Sequence, residues 1–198
     1  MMIKKTCCIA IFFILAVAVA GCGGLRYSQV EPDAANFHPQ RIGVFPVDVG
    51  SYEEARGTVD QIVAGVLIDK KWFADVVAAD TFKNMLGTNE ELRRLVLDYM
   101  LKLKTVNFSD PDMSRRIGEI AGIDAFLILG LDHWNYTIEN GEKVAKVGFA
   151  LKMVNAENGK IVWKAGHHIA KEYSFVYKPG LDGIAKKVIN DMIRHMPR

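Results

Sequence analysis

Residues 41–79, RIGVFPVDVGSYEEARGTVDQIVAGVLIDKKWFADVVAA, change hydrophobic period twice. Residues 41–47 (RIGVFPV) form a short apolar, β-rich run, and Pro46 near its end stops backbone pairing on at least one side. Between Glu53 and Lys71 the apolar positions Val59, Ile62, Val63, Val66 and Leu67 recur at steps of three and four, which makes one apolar helical face. Residues 73–79 (FADVVAA) return to a strand pattern. Strand, helix and strand at this spacing predict a right-handed βαβ crossover with two parallel strands.

Outward from this unit, Asp80 can cap a short helix through Leu86. Residues 90–104 place Leu92, Leu95, Val96, Tyr99 and Leu103 opposite Arg93, Arg94 and Lys102, again a helix. Ser109-Asp110-Pro111 is a helix start, with proline where its missing N–H costs little, and Met113, Ile117 and Ile120 continue it to Gly122. Residues 125–131 (AFLILGL) are apolar on both faces, as in a central strand. Asn140-Gly141 and Asn158-Gly159 mark two hairpins. Between them Val147, Phe149, Leu151 and Met153 alternate with Gly148, Ala150 and Lys152; after them Ile161, Trp163 and Ala165 share a face. Leu181, Ile184, Ala185, Val188, Ile189 and Met192 form the stripe of a C-terminal helix. Residues 41–198 therefore read as a single α/β domain: a mixed sheet of about five strands, βαβ followed by antiparallel hairpins, packed by helices.

Upstream, residues 23–40 contain Gly23-Gly24, two prolines and no sustained apolar period, which predicts a flexible tether. Eighteen such residues span about 23 Å. Residues 1–21 differ sharply. Lys4 and Lys5 precede fourteen consecutive apolar residues, Cys7 to Ala20, and small residues follow, the layout of a secretory signal. Fourteen helical residues rise only about 21 Å, short of the roughly 30 Å bilayer core, so a permanent span is disfavoured. The formal charge of +2 belongs to this segment: the rest of the chain carries 23 bases against 23 acids. Its hydrophobic share is roughly 46%, ordinary for a globular domain. A strongly basic nucleic-acid binder and a multi-span membrane protein are excluded, and no nucleic-acid partner is expected.

The segment ends Val19-Ala20-Gly21-Cys22, which resembles the lipobox of bacterial lipoproteins, with Val19 where that family most often has Leu. The resemblance implies a thioether-linked diacylglycerol on Cys22, removal of residues 1–21 and acylation of the new N-terminus. Lipidated Cys22 and the tether would then occupy residues 22–40, with the membrane as partner through the acyl chains. Several chains anchor a protein stably where one does not. Gly23 stands where inner-membrane lipoproteins commonly carry Asp, which implies the periplasmic face of the outer membrane. Cys7 and Cys8 leave with the signal, so no thiol remains for a disulfide, a metal cluster or a nucleophile.

The order of elements resembles a group of bacterial envelope lipoproteins. It includes the amino-terminal domain of TolB, the curli secretion-channel lipoprotein and the lipoprotein activators of penicillin-binding proteins. The resemblance covers roughly Arg41 to Ile193. It rests on RIGVFPV, on FADVVAA, on Ile120-Ala121-Gly122-Ile123-Asp124-Ala125-Phe126-Leu127, and on Asn158-Gly159-Lys160-Ile161-Val162-Trp163. These are strands and turns, so they carry fold and not activity. The curli channel's barrel-forming hairpins have no counterpart, because residues 90–104 are helical in period. The tether is too short for the reach of the penicillin-binding-protein activators.

Chemistry-bearing groups are sparse. His167-His168 point to opposite faces of a strand, and adding His133 still leaves fewer ligands than a usual metal site needs. Neither a metal nor another cofactor is expected. Ser109-Asp110-Pro111-Asp112 reads as a helix cap, and Asp132 and Glu139 do not make a defined acid pair. No Gly-x-Ser-x-Gly elbow, phosphate loop or zinc-protease motif occurs, so no catalytic residue is assigned and no enzyme is expected. Arg93, Arg94, Lys102 and Lys104 share their helix with Glu90, Glu91 and Asp98, a mixed solvated face. Tyr173, Phe175 and Tyr177 alternate over residues 171–178 and could present aromatic side chains at a sheet edge to a protein partner. The sequence thus leads to two readings. One is a non-catalytic accessory or docking component of an envelope export or cell-wall assembly; the other is a periplasmic binding module for a small molecule, lipid or glycan.

Overall fold

The computed structural model describes residues 25–198. Residues 1–21, read from sequence as an export signal, and Cys22 lie outside the described residues. Six strands are formed: β1 (Tyr27–Val30), β2 (Arg41–Val44), β3 (Asp75–Val77), β4 (Ala125–Glu139), β5 (Glu142–Asn155) and β6 (Ile161–Glu172). Five α-helices accompany them: α1 (Thr58–Lys70), α2 (Ala79–Thr88), α3 (Glu90–Thr105), α4 (Pro111–Ala121) and α5 (Leu181–Ile193). The strands make one mixed sheet in the order β1-β6-β5-β4-β2-β3. β2 pairs in parallel with β3 and β4, and the remaining pairs are antiparallel. The βαβ unit and both hairpins stand where the sequence places them.

Two apolar layers lie on the two sides of the sheet. On one side α1 and α5 cover Ile42, Leu127, Leu129, Phe149, Leu151 and Trp163. Trp163 is fully buried, and its indole N–H donates to Ser28 Oγ at 2.9 Å. On the other side α2, α3 and α4 cover an aromatic cluster. Phe45 stacks on Phe82 and Phe126 at 4.6 and 4.7 Å between ring centres, and Tyr99 meets Phe126 edge-on at 5.4 Å. The turns are local in origin. Asp110 accepts from the N–H groups of Asp112 and Met113, each at 3.1 Å, and so starts α4. Gly122, at φ +63°, ends it in the left-handed conformation that glycine adopts without strain.

The structure departs from the sequence reading in several places. Residues 27–30, read as tether, form the edge strand β1 against β6 with Tyr27 opposite Gly166 and Val30 opposite Trp163. All four β1 residues are exposed, so no alternating burial signals the strand. The FADVVAA strand shrinks to Asp75–Val77. β4 runs on to Glu139 through a bulge between Leu131 and His133, and the extra residue breaks the alternation on which a sequence reading depends.

Candidate functional site

β4, β5 and β6 outrun the helices that cover the aromatic side of the sheet. Beyond the carboxyl end of β2 this leaves an open groove of about 300 Å3. Gly130, Ala150, Lys152 and Lys164 line it from the sheet, Met100, Leu103 and Asn107 from the end of α3 and the residues after it, and Tyr27 from β1. Ligand crevices in open α/β sheets lie at the carboxyl ends of parallel strands, which is this end.

Two cations dominate the groove. Lys152 and Lys164 are direct cross-strand partners, both half-buried, and neither side-chain ammonium has a hydrogen-bonding or ionic partner among the described residues. Like charges directly opposite each other destabilise a sheet. Burial, and then the charge of Lys164, hold the Lys152 ammonium below its ordinary pKa. At the mouth Lys104 is already occupied by Asp48 at 2.5 Å. That hydrogen bond, acting against burial, keeps the Asp48 carboxyl below its usual range. An anion in the groove would therefore meet two unneutralised ammonium groups over a floor of small side chains.

A larger concavity of about 630 Å3 lies at the opposite end, beside Arg41, Arg115 and Asp124. Its arginines are taken: Arg41 pairs with Asp75 at 3.2 Å and Arg115 with Asp112 at 2.5 Å. It sits at the amino ends of β2 and β4 and makes the poorer site.

The residues singled out from sequence are scattered. Cys22 lies outside the described residues. His133 and His168 face each other edge-on at 6.0 Å beyond the groove, while His167 points to the other side, 4.0 Å from Asp191. Burial pulls the His133 and His167 imidazoles down. Among the described residues no three His, Cys, Asp or Glu side chains gather as a metal would need. On α3, Arg93, Lys102 and Lys104 bond Glu90, Asp110 and Asp48, so three of the four basic residues of that face are neutralised, while Arg94 is exposed. β6 ends at Glu172, so Tyr173, Phe175 and Tyr177 sit on a loop instead of continuing a sheet edge. Tyr173 is half-buried against Tyr136 at 5.6 Å, whereas Phe175 and Tyr177 are 94% and 63% exposed, with Val176 between them at 96%.

Sequence reasoning missed the Lys152–Lys164 pair and one buried acid. Asp60, 3% exposed, accepts from Val47 N–H at 2.8 Å and from Lys83 Nζ at 2.6 Å. The signal for the groove lay in Gly130 and Ala150, cross-strand partners too small to fill it. Gly130 and Gly148, both inside strands, differ in their surroundings. A Cβ at 148 would strike His168 at 2.8 Å, but one at 130 would meet nothing within 4 Å and would only narrow the groove.

No protein-family model and no curated protein matches the chain. Solved structures do. PelC from Paraburkholderia phytofirmans, solved as a dodecamer, is 14% identical over 86% of this chain and 95% of that chain, with a TM-score of 0.56. The hypothetical protein CT253 from Chlamydia trachomatis is 5% identical over 78% and 93%, with a TM-score of 0.51. The lipoprotein GNA1162 from Neisseria meningitidis is 17% identical over 80% and 100%, with a TM-score of 0.47, an overlap too slight to argue from. At these identities the likeness to the first two is one of fold.

Proposed function

We propose that this chain is a lipoprotein held by acyl chains on Cys22 at the periplasmic face of the outer membrane. There it serves as a non-catalytic accessory or docking component of an envelope export or cell-wall assembly. The observation that carries the reading is the place of Cys22, directly behind fourteen apolar residues and five residues ahead of β1. The likeness to PelC supports the docking role, because that chain of similar fold was solved as a dodecamer. Cys22→Ala is expected to abolish acyl labelling and to leave residues 1–21 attached; normal labelling of the variant would refute lipidation. Cross-linking in intact envelopes is expected to return the same protein adducts repeatedly, and a chain that yields none is not a docking component.

The unpaired Lys152 and Lys164 favour a second reading, an anionic ligand in the groove. Inorganic phosphate at constant ionic strength is the probe. It should raise the Tm of the wild type and not that of the Lys152→Met, Lys164→Met double variant. Equal rises in both would remove this reading.

A further inference from the structure

We propose that the end of the sheet formed by the β4–β5 turn and the loop after β6 is a membrane-docking tip for an anionic phospholipid surface. The proposal rests on the lipid anchor at Cys22 and adds an orientation to it.

The first observation is the apolar tip itself. Phe175 and Val176 are almost wholly in water, and Ile138, near the end of β4, is 67% exposed. Exposed apolar groups clustered at one end mark an interaction surface. The second is the charge around them. Lys143 Nζ lies 3.4 Å from the centre of the Phe175 ring, Lys178 Nζ 3.5 Å from that of Tyr136, and Lys171 5.7 Å from that of Tyr177. Alternation puts Ile138, Lys143 and Lys171 on one face of the sheet, whereas Glu139, Glu142 and Glu172 occupy the other. Aromatic rings with lysines beside them suit the headgroup level of a bilayer, where the ring is half-immersed and the ammonium meets phosphate.

The third observation chooses lipid over protein as the occupant. β1 runs antiparallel to β6, so the chain upstream of Tyr27 heads from the level of Gly166 toward Glu172, the same end as the tip. Leu25 packs against the core, and the three residues back to Cys22 reach at most about 10 Å. A bilayer holding the acyl chains of Cys22 is thereby brought to this end of the domain.

The test uses the processed chain purified from envelopes, with Val176→Cys as its one free thiol carrying an environment-sensitive fluorophore. Glu157→Cys, exposed in the turn between β5 and β6 at the opposite end, is the control. The proteins are reconstituted in phosphatidylethanolamine–phosphatidylglycerol vesicles free of other protein. Position 176 should show blue-shifted emission and quenching by lipid-borne quenchers, and position 157 should stay water-like. Replacing Lys143, Lys171 and Lys178 by Gln should lower the inserted-to-lifted ratio about fivefold per lysine, and only where phosphatidylglycerol is present. Mass spectrometry of the same preparation reads the acyl chains. An acylated protein with water-like emission at 176 overturns the tip alone, while missing acyl chains defeat the anchor and the orientation built on it. Protection of 176 in native envelopes but not in vesicles assigns the tip to a protein and also overturns the proposal.

Discussion

Asp60 occupies the first turn of α1 among Val59 and Val63, on the face that meets the sheet. Its carboxylate satisfies the Val47 N–H, a donor that the end of β2 leaves without a strand partner, and bonds Lys83. Asp60→Ala should cost about 2–3 kcal/mol in urea unfolding, because a buried donor and a charge-assisted bond are both lost. Asp60→Asn isolates the charge. The bond to Asp60 raises the Lys83 pKa above 10.5, so this contribution is complete below that pH and fades as pH rises through the elevated folded value. The stability gap between wild type and Asp60→Asn should therefore narrow in alkali; a gap that closes near neutrality would contradict the assignment. Lys152 has the opposite sign. Its depressed pKa means that the charged form weakens the fold, with relief as pH rises through the folded value toward 10.5. Lys152→Met should stabilise the protein near neutrality by roughly 0.2–1 kcal/mol, read from urea midpoints. Neither pairing is legible in the sequence. Asp60 and Lys83 are joined by the turn of α2 onto α1, and Lys152 and Lys164 by hairpin register.

At the scale of elements, glycines inside two helices have opposite tasks. Gly65 in α1 is exposed, and a Cβ there would meet nothing within 4 Å; Gly118 in α4 lies where a Cβ would come within 2.7 Å of Ala156 and 3.0 Å of the Ile123 carbonyl. Gly65→Ala should stabilise by about 0.5–1 kcal/mol, and Gly118→Ala should destabilise by about 1–3 kcal/mol as α4 is lifted off the end of β5. Thermal unfolding of the two variants checks both signs. Elements with local causes were readable in advance. Asp110-Pro111 announces α4, Asn140-Gly141 announces the hairpin, and the stripe from Leu181 announces α5. β1 was not, because an exposed edge strand owes its existence to the backbone of β6 and not to its own side chains. The groove escaped for a related reason: no pattern within one strand tells how far α3 and α4 extend over its neighbours.

Across the whole molecule, one sheet separates two apolar layers, and all three tryptophans, Trp72, Trp134 and Trp163, belong to the layer under α1 and α5. Tryptophan fluorescence thus reports one layer, while far-ultraviolet circular dichroism reports both. Since β4 and β5 carry side chains into each layer, the two signals should trace a single unfolding transition. Separated midpoints would show that the layers melt independently. The attachment of β1 has a mechanical consequence. A load drawing the domain away from an anchored Cys22 would act along the axis of β1, so its ladder with β6 would be strained in shear, all rungs at once. A pull across the sheet would instead unzip the rungs in turn. The four residues of β1, pinned by Ser28 to the Trp163 indole, would be the fuse that sets the load the anchorage can bear.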